Sequence, residues 1–141
     1  MHHDLYNTIK AAPSIAPQVQ TNSDAAIVGA IVDHLGFNAA CYVVQTGTLT
    51  DADATTTFLL EEGDAANLSD AAAVADADLI GTEAGSAVTF ANDLVTRKLG
   101  YKGRKRYTRL TVTPSGNGAG ALPISSMCIL MRGVKNPQTA P

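Results

Sequence analysis

The chain has 141 residues, 45 % of them hydrophobic and 5 % aromatic, with no tryptophan. That describes one ordinary domain with a core of small side chains, and it excludes wholesale disorder. Ten Lys and Arg against thirteen Asp and Glu give a net charge of −3, which weakens long-range steering toward a polyanion.

No apolar run approaches the ~20 residues of a membrane-spanning helix. The opening MHHDLYNTIK has no apolar signal-peptide core, so synthesis and use in a cytoplasm are expected. Pro13 and Pro17 interrupt any helix near the start, and residues 1–20 read as an N-terminal arm or edge strand. Residues 21–133 read as a β-sandwich domain and 134–141 as a flexible C-terminal tail. AAIVGAIVD, from Ala25, is apolar and β-branched and predicts one strand. Phe37–Gln45 predicts a second, strong one. TLTDADA is a turn, because Asp51 and Asp53 favour local side-chain bonds over a ladder.

Thr55–Glu62 predicts a strand with Thr56, Phe58 and Leu60 on one face. The Ala-rich stretch that follows has some helix propensity. Its Asp spacing and terminal Leu-Ile-Gly-Thr nevertheless favour a strand near Val74–Ile80. SAVTFANDLVTRKLGY holds one or two short strands. RKRYTRLTV alternates, with Lys105, Tyr107 and Arg109 facing one way and Arg106, Thr108, Leu110 and Val112 the other. PSGNGAGALP is a loop, and SSMCILM the last buried strand. About eight short strands, separated by turn signals every ten to fifteen residues, predict an all-β, single-domain antiparallel sandwich, barrel or jelly roll.

The charges are segregated. Twelve of the thirteen acids lie between Asp24 and Asp93, where there is no Lys or Arg. The run Arg97–Arg109 then holds seven cations and no acid. Those cations could neutralise phosphates, with Tyr101 and Tyr107 stacking on bases. Against that stand the acidic whole chain and the lack of any nucleic-acid-binding motif beside the cluster. Arg106 shares a face with Leu110 and Val112, so it needs an acidic or carbonyl partner, in this chain or in another protein. The reading favours protein contact or internal pairing. The partner-binding candidates are Arg97, Lys98, Lys102, Arg104, Lys105, Arg106, Tyr107 and Arg109.

Nothing points to catalysis. Asp51, Asp53, Thr55, Thr57 and Glu62 fall at calcium-loop spacing, but the position that needs Gly is Thr56. No His or Cys pair has zinc spacing, and Cys41 and Cys128 read as reduced core thiols. No nucleophile elbow or phosphate loop is present. The chain is expected not to be an enzyme and to use no cofactor or metal.

Three segments in order, GFNAACYVVQTGTLTDADATTTFLLEEGD, AAVADADLIGTE and LGYKGRKRYTRLTVTPSG, resemble the jelly-roll cement, or decoration, proteins of tailed-bacteriophage capsids, those of short-tailed Bordetella phages most of all. The resemblance spans roughly residues 36–116. It implies a structural virion protein of jelly-roll type on the outer capsid surface, made in the host bacterial cytoplasm. Its implied partners are the major capsid protein and a second copy of itself in a homodimer, with no membrane; the residues themselves disfavour nucleic acid. It carries over no catalytic or contact residue. A tail-tube or head–tail joining subunit is the alternative, and a nucleic-acid-binding module a more distant one.

Overall fold

In a computed structural model describing residues 4–131, the chain folds as a long antiparallel ribbon rolled onto itself. Ten strands occur: β1 Ile9–Thr21, β2 Ile27–Val28, β3 Val32–Asp33, β4 Ala39–Thr46, β5 Thr55–Gly63, β6 Ala72–Ala73, β7 Leu79–Ile80, β8 Thr96–Tyr101, β9 Tyr107–Ser115 and β10 Ala121–Met131. One helical turn, α1 (Glu83–Ser86), and two 3₁₀ turns, Asp76–Asp78 and Phe90–Asn92, join them. Pairing is nested. β1 pairs with β10, β2 and β3 with β9, β4 with β8, and β5 with β6, all antiparallel. Rolling that ribbon adds the β10–β4 and β9–β5 ladders. The result is two sheets, β1-β10-β4-β8-β7 and β2-β9-β5-β6, with β3 also on β9. This is a jelly-roll sandwich, all-β as the turn spacing predicts.

The core lies between the sheets and follows the period-2 alternation of the strands. On β5, Thr56, Phe58 and Leu60 point inward; on β9, Thr108, Leu110 and Val112 do; on β10, Leu122, Ile124, Cys128 and Leu130 do. Leu60 and Leu110 are register partners and fully buried.

Three local expectations differ from the structure. The apolar stretch near Ile27 is two strand segments, not one. Gly29 sits between them, its N–H donating to the Leu110 carbonyl at 2.8 Å, where a Cβ would fall 2.6 Å from that same oxygen. The backbone approaches β9 too closely there for any side chain. Val74–Ile80 is likewise not one strand. Val74 is buried, its amide bonded to the Leu60 carbonyl, and the chain then turns through Asp76–Asp78 before Leu79 pairs with Tyr101 in the other sheet. That segment crosses between sheets, so it cannot keep one ladder. Finally, the cysteines are neighbours with different surroundings. Cys128 faces the core, whereas Cys41, on the adjacent strand, is half-buried on the outward face, and both are free thiols.

Residues 9–21 pair with β10 of their own chain at the sheet edge, with register slips between Pro13 and Ile15 and between Ile15 and Gln18. Prolines and bulges are common devices for blunting such an edge. The tail expected at 134–141 lies outside the described residues.

Candidate functional site

The basic run is not one long strand. Arg97 and Lys98 lie on β8, Lys102, Arg104, Lys105 and Arg106 on the connection from one sheet to the other, and Tyr107 and Arg109 on β9. Gly103 interrupts the run and packs against the Tyr101 ring, where a Cβ would clash.

Three of the seven cations meet acids of the same chain. Arg109 and Glu61 are cross-strand partners on β9 and β5, and Nε and Nη2 both donate to Glu61 Oε2, at 3.0 and 2.9 Å. Arg106 forks onto Asp33, Nε to Oδ1 at 3.0 Å and Nη2 to Oδ2 at 2.8 Å. This pair holds the Asp33 carboxyl below its ordinary range, the Arg106 hydrogen bond being the largest cause. Lys105 Nζ reaches Asp64 Oδ2 at 2.5 Å, which raises the lysine above its ordinary value. The partner that Arg106 requires is thus internal, although the residue precedes β9 and is exposed rather than lying on its apolar face. Arg109–Glu61 is the most sheltered pair, with side chains 26 % and 19 % exposed, against 47 % and 60 % for Lys105–Asp64.

Lys98, Lys102 and Arg104 are exposed and meet no acid among the described residues. Arg97 stands opposite Val44, on the core-facing side of β8, and its Nε is buried without a hydrogen-bond partner. Both tyrosines are buried, Tyr101 in the core and Tyr107 on the outward side of β9 beneath Arg106. Tyr101 and Tyr107 are 5 % and 9 % exposed. Tyr101 donates to Glu62 Oε2 at 2.5 Å and accepts from the Lys105 amide at 3.0 Å. Arg106 covers the Tyr107 ring, 4.9 Å from its centroid. Neither ring forms the base-stacking platform that the sequence allows for.

Beside the free cations, a cleft of about 430 Å³ opens at the end of the sandwich, lined by His34, Phe37, Asn38, Tyr101, Arg104 and Arg106 among others. Behind His34 the polar contacts continue into the buried interior. His34 Nε2 and the Tyr42 hydroxyl each lie 2.6 Å from Thr108 Oγ1. Both contacts are satisfied when Tyr42 donates to Thr108 and Thr108 donates to a neutral imidazole. Burial pushes the His34 pKa below its ordinary value, Asp33 opposing only in part, and pushes Tyr42 up. The residues that bring the cleft together from outside the basic run, His34, Phe37 and Asn38, carry no signal in the sequence beyond a Gly36 turn.

Asp51, the first calcium-loop position, accepts from the amides of Asp53 and Ala119. Among the described residues no group of three His, Cys, Asp or Glu is placed to hold a metal ion, and no helix is long and apolar enough to cross a membrane. Comparison with protein-family models and with curated proteins gave no match.

Proposed function

We propose that this chain is a structural virion protein that binds the outside of an icosahedral phage capsid, bridges neighbouring major capsid protein subunits and stabilises the shell. The observation that carries the reading is the division of the basic run. Lys105, Arg106 and Arg109 are tied to Asp64, Asp33 and Glu61, whereas Lys102 and Arg104 are left exposed in the connection between β8 and β9 at one end of the jelly roll, and Lys98 is exposed on the outward face of β8. Internal pairs fix the scaffold, and the remaining cations present charge to an acidic protein surface. The fold adds support at the level of architecture, since jelly rolls recur in viral shells as well as in lectins and cupins. The resemblance of residues 36–116 to capsid cement proteins supplies the shell as the partner.

The mechanism is differential binding. A protein that binds the assembled lattice and not its separated subunits stabilises the lattice by mass action. Individual contacts can be modest, because a bridge, or a second copy, makes the second attachment effectively intramolecular. Co-sedimentation with emptied shells lacking this protein, alongside a DNA-only arm, tests the reading. Saturable pelleting with shells and none with DNA is expected. Pelleting with DNA alone would replace it by nucleic-acid binding.

A further inference from the structure

The cleft at the end of the sandwich is set apart by the sign of its charge. Arg104, Lys105 and Arg106 line it together with His34, and among the described residues no Asp or Glu does. Asp64 and Asp33, which hold Lys105 and Arg106, stand outside the lining. A concave site lined by one sign of charge focuses its field and concentrates counter-ions. Arg104 adds the uncompensated part of that charge, because its guanidinium meets no acid among the described residues. The hydrogen-bonding groups point the same way. The arrangement that satisfies both contacts on Thr108 makes His34 Nε2 an acceptor, so the neutral ring carries its proton on Nδ1. That N–H has no acceptor among the described residues. An Arg fork and a ring N–H are donors suited to the oxygens of an anion. The rest of the wall is apolar, with exposed Leu35 and partly buried Phe37.

The cleft is also formed in advance. Residues 34–38 and 103–106 build it, and they are tied to each other and to β8. The His34 N–H donates to the Arg106 carbonyl at 2.8 Å, and the Lys105 N–H donates to the Tyr101 hydroxyl at 3.0 Å. The His34 and Tyr101 rings meet edge to face, their centroids 5.2 Å apart. Gly36 turns the first segment at a φ of +87°, in the left-handed region that glycine enters without strain. A preformed site loses little affinity to ordering. Its volume of about 430 Å³ lies in the range that holds small organic ligands. We infer that this cleft binds a small organic oxyanion, a carboxylate or a phosphate monoester carried on an apolar ring, with Arg104 pairing its charge. The ring of the ligand lies against Phe37 and Leu35. The inference stands on the lining of the cleft and not on capsid attachment, and it is tested on the free protein without shells, so either can fail without the other.

Heteronuclear NMR titration is the test, with phenylacetate and phenyl phosphate as anionic probes and 2-phenylethanol as the uncharged one. Saturable shifts are expected at the amides of 34–38 and 103–106 with at least one anion. A response to phenylacetate alone assigns a carboxylate site, and a response to phenyl phosphate alone a phosphate site. The uncharged probe should bind at least about tenfold more weakly, for want of the charge-assisted hydrogen bonds to arginine. Arg104→Ala should weaken the anion by a similar factor. Arg104 is exposed and meets no acid, so the variant should keep the dispersed spectrum of the folded protein. Arg104→Lys keeps the charge without the fork and should fall between the two. The inference is overturned if neither anion gives saturable shifts, if the shifts scatter over the surface, if 2-phenylethanol binds as well as the anions, or if Arg104→Ala leaves the dissociation constant unchanged.

Discussion

Arg109 lies directly across the β9–β5 ladder from Glu61, and two of its guanidinium nitrogens converge on one carboxylate oxygen. A cation from the most basic part of the sequence thereby meets an acid 48 positions upstream. Sequence distance hides the pair; sheet register makes it.

Removing that cation should matter more than removing its neighbours. Arg109→Ala leaves Glu61 half-buried opposite a methyl group, and should lower stability by about 1 kcal/mol, the upper end for a partly exposed pair. Lys105→Ala should shift the urea midpoint less, because its pair with Asp64 is far more exposed and water screens it. Parallel urea denaturation of the two variants checks the ranking.

The core should respond as a packed one. Leu110 and Leu60 face each other with no solvent exposure. Leu110→Ala should therefore cost about 2–5 kcal/mol, the transfer of the lost methyl groups plus the cavity left behind. Calorimetry should show one cooperative transition at a lower temperature.

Stability should fall in mild acid because of His34. Its folded pKa lies below the ordinary 6.5, so the unfolded chain binds the proton first as the pH drops. The stability that comes from keeping the imidazole neutral is full above pH 6.5 and is lost as the pH falls toward the folded value. The slope contributed is at most about 1.4 kcal/mol per pH unit, that of one proton. Urea midpoints at pH 7.5 and 5.5 should differ, and the difference should shrink in His34→Asn. Asp33 acts in a lower window: its pairing with Arg106 holds its folded pKa below the usual 3.8. That contribution is present above pH 3.8 and is lost as the pH falls through the folded value.

The all-β class and the inward faces of β5 and β9 were legible, because alternation at Thr56–Phe58–Leu60 and Thr108–Leu110–Val112 needs no tertiary information. The basic run was legible as a cluster and not as a structure. Gly103 divides it, and the residues that neutralise Lys105, Arg106 and Arg109 arrive from β5, its following turn and β3. Val74–Ile80 misled because burial of Val74 and Leu79 mimics a strand, while the chain between them changes sheets. The outward face of β4 and β10 did leave a sequence signal. AACYVV and MCILM are continuous apolar runs rather than alternating ones, although the strands they form are antiparallel and Met127 and Met131 face outward and are exposed.

Attachment should depend on the unpaired cations. Arg104→Glu combined with Lys102→Glu should weaken shell binding, chiefly through slower association, and added salt should weaken the unaltered protein in the same way. The same reversal at Lys105 should weaken binding less, because that lysine already faces Asp64. Association rates on immobilised shells at two salt concentrations would show the ordering; salt-indifferent attachment would remove the ionic part of the account.

The most direct test of the central claim is the temperature at which emptied shells lose their integrity, followed while this protein is titrated in. Stabilisation by mass action predicts a midpoint that climbs with protein concentration and levels off as the lattice sites fill. A midpoint that stays constant while the protein demonstrably binds would contradict a cementing role.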